Sequence, residues 1–191
     1  MSPRTEKQLE QIRENKIKVI IDTALELFAN NGYYPTTISQ IAKKAGISKG
    51  LIYNYFESKE HLIKTIMIKG VEDIYRNFDL NHDGILTSDE LIFYIHETFK
   101  IIKENRQFWM LYFSTIVQPS VYKIIEPELL KFSEPIMKPF MNYFNTKYGN
   151  NYIVQMTLFQ SLMKGAIISY VYSPELFNID LVEDFIVKNF C

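Results

Sequence analysis

Cysteine is nearly absent from the sequence, since Cys191 is the only one among 191 residues. No internal disulfide can form, so a reducing cytoplasm is the expected compartment. No uninterrupted apolar run approaches the roughly 20 residues that a membrane helix needs, and the N-terminus is charged where a signal segment would be apolar. These absences argue against a disulfide-rich secreted domain and predict a soluble cytoplasmic protein with no membrane contact.

Glycine and proline are also scarce, at seven residues each, and this favours long helices over a turn-rich β architecture. The net charge of −1 excludes a uniformly basic nucleic-acid coat. Residues 1–60 nevertheless hold nine Lys or Arg against seven Asp or Glu. This mild positive excess is compatible with a local DNA-binding surface.

Apolar residues recur with helical spacing along most of the chain. In the first helix they stand at i, i+3, i+4, i+7, i+8 and i+11, as Ile17, Ile20, Ile21, Ala24, Leu25 and Phe28. Similar patterns predict further helices over residues 58–78, 88–117, 120–131, 134–147, 152–172 and 179–190. Nothing alternates with period two for long. The sequence therefore predicts an all-α protein of about nine helices.

Two short predicted helices, joined by residues 45–47, have the layout of a helix-turn-helix. On the second, the residues at i, i+1, i+4 and i+5 share one face: Lys49, Gly50, Tyr53 and Asn54. A recognition helix needs a cation, a small residue for close approach and hydrogen-bonding side chains. Its N-terminus, capped by Ser48, also points N–H groups at phosphate. Alternatively, Tyr53 and Tyr55 are packing residues of an ordinary three-helix corner.

The order and spacing of these elements resemble the DNA-binding domain of the TetR family of bacterial repressors. The matching segments read TTI at 36–38, IA at 41–42, AGISKG at 45–50, YNYF at 53–56 and SKEHL at 58–62. The resemblance implies a helix-turn-helix domain over residues 1–57 and a helical ligand-binding and dimerisation domain over residues 58–191. It further implies a homodimer on a palindromic double-stranded DNA operator, released when a small-molecule effector binds.

The family resemblance also implies which residues contact DNA. Six residues fall at positions that the family commonly uses, namely Thr37, Lys49, Gly50, Tyr53, Tyr55 and Lys59. Ser48 and Asn54 join them from the predicted recognition helix.

A second motif lies in residues 79–90, which satisfy the pattern D-x-[DN]-x-[DN]-G-x5-E in full. Gly84 permits the sharp turn that lets the oxygen ligands converge. The predicted calcium ligands are Asp79, Asn81, Asp83, Ile85 through its carbonyl, Thr87 through water, and Glu90. The loop thus resembles an EF-hand. Alternatively, since Asp, Asn and Gly are common turn residues, it is a helix-loop-helix corner that holds no ion.

A set of aromatic and methionine residues at helical spacing could line a pocket for an apolar or aromatic effector, although a plain core needs the same residues. These are Trp109, Tyr112, Phe113, Met156, Phe159 and Met163. The three histidines have no i, i+4 partner and no paired cysteine, so zinc is not expected. No phosphate loop, nucleophile elbow or supported carboxylate pair appears. We expect neither an enzyme nor an organic cofactor.

Residues 152–172 are apolar over an unusually wide arc, so this helix must be buried on most sides. The arc comprises Ile153, Met156, Phe159, Leu162, Met163, Ala166, Ile167 and Tyr170. Together with the last helix, through Leu181, Val182, Phe185 and Ile186, it suits a two-fold four-helix interface.

Two functional classes follow from these motifs. The preferred one is a ligand-responsive DNA-binding repressor, in which bound calcium either shifts DNA affinity or is a purely structural ion with no effect on DNA. The other is a calcium-binding helical interaction module without specific DNA binding.

Overall fold

In the computed structural model, which describes residues 5–76, 78, 81 and 83–191, the chain is all-α as predicted. These residues form nine α-helices, one 3-10 helix at Gly149–Asn151 and no strand. The helices are α1 (Glu6–Asn31), α2 (Ile38–Ala45), α3 (Lys49–Tyr53), α4 (Lys59–Tyr75), α5 (Ser88–Glu104), α6 (Arg106–Ile116), α7 (Pro119–Tyr148), α8 (Tyr152–Tyr172) and α9 (Ile179–Phe190).

The chain divides into two compact units, each discontinuous in sequence. Unit 1 comprises Met1–Ile68 and Leu111–Ile125, and unit 2 comprises Lys69–Met110 and Glu126–Cys191. The boundary predicted after residue 57 does not coincide with the division between these units. It stays a prediction.

The core of unit 1 includes the apolar stripe of α1 and the inner sides of α2 and α3. The buried residues of α1 are Ile20, Ile21, Ala24, Leu25 and Phe28, all members of the predicted stripe. In the helix-turn-helix, the buried residues are Ile38, Ile41, Ala42, Ile52 and Phe56. The turn between α2 and α3 passes through Gly46, whose φ of 66° is left-handed. A residue without Cβ takes this conformation at little cost, so α2 can end there.

Unit 2 is built around α5, α8 and α9, which contact one another. Phenylalanine rings fill part of its interior, with ring centroids 4.9 Å apart for Phe140 and Phe144, 5.4 Å for Phe140 and Phe159, and 5.5 Å for Phe159 and Phe190. Aromatic pairs at these separations stabilise a core beyond the area that they bury.

The prediction of a single helix over residues 88–117 is wrong, since the structure has two helices there. The break falls at Asn105, which has φ −136° and ψ 44°. No glycine or proline marks it. Arg106 donates from Nη1 to the carbonyl of Val171, 2.6 Å away, and Trp109 is almost fully buried. A tertiary contact and a large buried ring therefore accompany a break that the local sequence does not signal.

The two helices predicted over 120–131 and 134–147 are one continuous helix, α7. It contains Pro127, Pro135 and Pro139, each of which lacks an N–H for the helical ladder. Buried apolar residues precede these prolines at Val121 and Ile125 and follow them at Phe140 and Phe144. Burial on both sides of the prolines stabilises helical segments that local propensity would separate.

Among the residues that the structure describes, no helix combines the length and apolarity required to span a membrane.

Candidate nucleic-acid interface

The short helix α3 presents the four residues predicted to share its outer face. Lys49, Gly50, Tyr53 and Asn54 are all exposed, whereas Ile52 is fully buried. The ammonium of Lys49 lies 5.8 Å from the centroid of the Tyr53 ring. A cation–π contact at this distance is weakly favourable and holds charge and phenol side by side. The face is therefore polar, accessible and attached to the core through its opposite side.

Ser48 and Thr37 cap the helices of the helix-turn-helix. The Ser48 hydroxyl accepts from the N–H of Leu51 at 3.1 Å. The Thr37 hydroxyl accepts from the N–H of Gln40 at 3.2 Å, and the Gln40 side chain accepts from the N–H of Thr37 at 2.7 Å. Such a reciprocal capping box fixes where a helix begins. Both hydroxyls lie on exposed residues, and their predicted contacts with DNA stay predictions.

Tyr55 differs in environment from the other aromatic residue of this segment. Its side chain is half-buried, whereas 46% of Tyr53 is exposed. The packing alternative therefore fits Tyr55 better than Tyr53.

Lys59, at the start of α4, is engaged within the fold. Its ammonium donates to the carbonyls of Tyr33 at 2.9 Å, Tyr34 at 3.2 Å and Thr36 at 2.9 Å. It also lies 4.3 Å from the centroid of the Tyr33 ring. Partial burial lowers the pKa of the Lys59 ammonium. Its predicted contact with DNA stays a prediction, but all three of its N–H donors have acceptors inside the protein.

Gln118, between α6 and α7, is a residue that the sequence analysis missed. Its side-chain carbonyl accepts from the N–H of Tyr33 at 3.1 Å, and its side-chain amide donates to the carbonyls of Phe28 at 3.0 Å and Ser114 at 3.2 Å. The first two bonds join residues 85 and 90 positions apart. No local pattern marks a glutamine for such a contact.

The calcium-like loop is described only in part, because Asp79 lies outside the described residues. Asp83 accepts from the N–H of Ile85 at 2.7 Å, and Gly84 adopts a left-handed φ of 74°. Glu90 is mostly buried and forms a capping box with Thr87. Its carboxylate accepts a hydrogen bond from the N–H of Thr87 at 2.9 Å. Within the described part of the chain, no group of three or more His, Cys, Asp or Glu side chains is placed to hold a metal ion.

The six residues proposed for an effector pocket are distributed over both units. Four are buried, and Phe113 and Met156 are half-buried. Tyr112, in unit 1, donates its hydroxyl to the carbonyl of Met67 at 2.8 Å, and burial raises its pKa strongly. A groove of about 450 Å³ in unit 2 runs past Ile85, Pro139 and Tyr143 instead, and none of the six lines it. Their role in binding an effector stays a prediction.

The segment that contains the helix-turn-helix matches a known protein family. Residues 20–66 fit the model of the bacterial regulatory proteins of the tetR family. This segment of the chain is thus similar to the DNA-binding segment of the tetR family. The family resemblance predicted from the short motifs of the helix-turn-helix is thereby confirmed.

Curated relatives match the chain over short segments. The chain is 50% identical over 54 residues to the transcriptional regulator YuxN of Bacillus subtilis (strain 168), a match over 28% of this chain and 19% of that protein. It is 48% identical over 48 residues to the fatty acid metabolism regulator protein of the same organism, over 25% of each chain. The chain thus spans about a fifth to a quarter of the length of these relatives.

The fold extends the likeness over nearly the whole chain. The regulator FadR of Bacillus subtilis, solved in complex with stearoyl-CoA, superposes with a TM-score of 0.64 at 18% identity and covers 90% of this chain and 95% of its own. At this identity the likeness shows a shared fold. These three relatives are named as regulators, which agrees with the expectation that the chain is not an enzyme.

Proposed function

We propose that the chain is a DNA-binding transcriptional regulator of the TetR family and that it represses by occupying an operator. The observation that carries the proposal is the exposed face of α3, where Lys49, Gly50, Tyr53 and Asn54 stand together above the buried Ile52. Their chemistry suits a major groove, because the amide and the phenol can meet base edges and the cation can meet phosphate. Gly50 leaves room for close approach of the backbone.

The first test replaces Lys49 and Tyr53 separately by alanine and measures affinity for an operator duplex selected from a random library. Lys49→Ala should weaken binding and lower the slope of log affinity against log salt by about one, because one phosphate contact releases roughly one counterion. Tyr53→Ala should cost about 1–3 kcal/mol with the slope unchanged.

Lys123→Ala is the matched control, since Lys123 is an exposed lysine of the same unit, on α7. It should bind as the wild type does. If wild-type protein selects no DNA sequence, the repressor assignment fails, and the calcium-binding interaction module becomes the better account. If both substitutions leave affinity unchanged, α3 is not the reading helix.

We also propose that the protein acts as a homodimer through α8 and α9. Within one chain, α8 buries Phe159, Met163, Ala166, Ile167 and Val171 on one side. The opposite side forms a stripe of exposed residues at i, i+4, i+7, i+11, i+14 and i+18, namely Val154, Leu158, Ser161, Gly165, Ile168 and Tyr172. A helix that is apolar on both sides and covered on one needs a second surface.

Helix α9 repeats this division between a buried and an exposed side. Ile179, Glu183, Ile186 and Phe190 are buried, while Leu181 and Phe185 are 66% and 52% exposed. Because α8 and α9 contact each other, a second copy could cover both exposed sides in a two-fold arrangement. The small residues of the α8 stripe would allow close approach of the two copies.

The dimer predicts that Phe185→Glu dissociates the protein, since a carboxylate would be buried at the interface without a partner. Light scattering at micromolar concentration should give the mass of a dimer for wild type and of a monomer for the variant. Leu130→Glu is the control, because Leu130 is 65% exposed on α7, outside the proposed interface. A monomeric wild type would contradict the proposal.

We propose a long apolar molecule as the effector, with fatty acyl-CoA as the first class to test. Two observations support this choice. Phenylalanine rings fill part of the apolar interior of unit 2, and the FadR structure of similar fold was solved with stearoyl-CoA. An acyl chain gains free energy from each buried methylene group. A ligand that binds the DNA-free state more tightly than the DNA-bound state must lower operator affinity.

Stearoyl-CoA should therefore release the wild-type protein from its operator in a fluorescence-anisotropy titration. Free coenzyme A is the control, because it keeps the nucleotide and lacks the acyl chain. Equal effects of the two compounds, or no effect of either, would contradict an effector recognised by its chain.

We propose calcium as a further ligand, bound by the loop of residues 79–90. The complete sequence motif supports this, as do the left-handed Gly84 and the α5 cap formed by Thr87 and Glu90. A single loop with three carboxylates suggests a dissociation constant of about 10⁻⁵ to 10⁻³ M. The same titration repeated with operator present tests whether the ion also shifts DNA affinity, because such coupling is reciprocal.

Calcium titrated into wild type in a calorimeter should give heat and raise the melting temperature. Glu90→Gln should abolish both, since an amide keeps the capping box but not the bidentate carboxylate. Asp89→Asn, at an exposed neighbour outside the ligand pattern, should behave as wild type. Absence of heat and thermal shift up to millimolar calcium would reduce the loop to a turn.

A further inference from the structure

The connector between α1 and α2, residues 32–37, has an irregular backbone that side-chain hydrogen bonds hold in place. It begins at Gly32, whose φ of 86° lies in the left-handed region, and ends at Thr37, the N-cap of α2. Irregular backbone in a partly buried place must find hydrogen-bond partners outside a helical ladder. Thr36 supplies some of them, since its buried hydroxyl donates to the carbonyls of Gly32 at 2.8 Å and Leu27 at 3.2 Å.

Lys59 supplies hydrogen-bond donors to the carbonyl groups of the connector. Its ammonium has three N–H donors and three connector carbonyls as acceptors, those of Tyr33, Tyr34 and Thr36, with the Tyr33 ring beneath it. Moving this ammonium to a phosphate would leave carbonyls without their donor. The arrangement suits a residue that holds the backbone better than one that reaches for DNA.

Gln118 forms a further hydrogen bond with the connector, independent of those of Lys59. Its amide oxygen accepts from the N–H of Tyr33, while its amide nitrogen donates to the carbonyl of Phe28 in the last turn of α1. One side chain therefore bonds both the end of α1 and the start of the connector. Residues 111–125, which belong to the same compact unit, supply this side chain from far along the sequence.

The connector in turn determines where α2 begins. Thr37 starts α2 through its capping box with Gln40, and α2 contacts α3, which carries the exposed face of Lys49 and Tyr53. A displaced connector would displace the start of α2 and with it the recognition helix. Neither Lys59 nor Gln118 needs to touch DNA for this effect.

We infer that Lys59 and Gln118 are positioning residues that clamp the connector of residues 32–37 and thereby hold the recognition helix at the angle that DNA binding requires. The inference rests on the proposed function. It gives Lys59 a role different from the contact with DNA that the family resemblance implies. It also gives a neutral side chain, remote in sequence from the helix-turn-helix, control over operator affinity.

The test measures operator affinity over a range of salt concentrations for Gln118→Met and Lys59→Met. Both substitutions retain side-chain bulk and remove the hydrogen bonds. Affinity should fall about tenfold in each, with the salt slope of wild type, because no phosphate contact is lost. Gln118→Glu should recover part of the affinity, since a carboxylate can still accept from the N–H of Tyr33 but cannot donate to Phe28. Amide exchange at Tyr33 should become faster in Gln118→Met.

Gln107→Met and Lys69→Met are the matched controls, at exposed positions of α6 and α4, and should bind as wild type does. A salt slope reduced by about one in Lys59→Met would assign Lys59 to phosphate and overturn its positioning role. Wild-type affinity in Gln118→Met would overturn the role of Gln118 while leaving the proposed function intact. Failure of wild-type protein to bind any selected duplex would overturn the proposed function and the inference together.

Discussion

The carbonyl groups of Tyr33, Tyr34 and Thr36 need donors that no helix provides, and the ammonium of Lys59 supplies them. The orientation of the helix-turn-helix depends on this constraint, because the connector decides where α2 begins and α2 packs against the helix that carries the exposed polar face. The main role of Lys59 is therefore to donate hydrogen bonds to the connector backbone rather than to present a positive charge. A buried carbonyl without a donor costs free energy comparable to a whole hydrogen bond, so the ammonium is better used inside the unit than at its surface.

The helices α8 and α9 present a different feature, namely apolar side chains that are exposed. They carry apolar residues on the side that the chain leaves exposed as well as on the side that it buries, as Phe185 at 52% exposure beside the fully buried Ile186 illustrates. In α1 a single stripe is buried and the other faces are largely polar and exposed. The difference between a one-sided and a two-sided apolar helix distinguishes an element whose apolar side is covered by its own chain from one that keeps an exposed apolar side.

Much of the fold could be predicted because its signals are local. Helical spacing located the buried stripe of α1, and Gly46 marked the turn of the helix-turn-helix. The shared face of Lys49, Gly50, Tyr53 and Asn54 followed from their spacing, and the structure exposes all four. Prediction failed where distant residues decide the backbone. The break at Asn105 has no local signal, and α7 continues across three prolines between buried apolar residues.

The sequence by itself determined that the chain is helical, which residues of α3 share a face, and that residues 79–90 carry the pattern of a calcium loop. These features depend on neighbours within a few turns, where spacing translates directly into geometry. Only the tertiary structure decided that Lys59 turns toward the connector and that Gln118 joins it from 85 residues away. Such contacts depend on which unpaired backbone groups folding brings within reach, and no local periodicity records that.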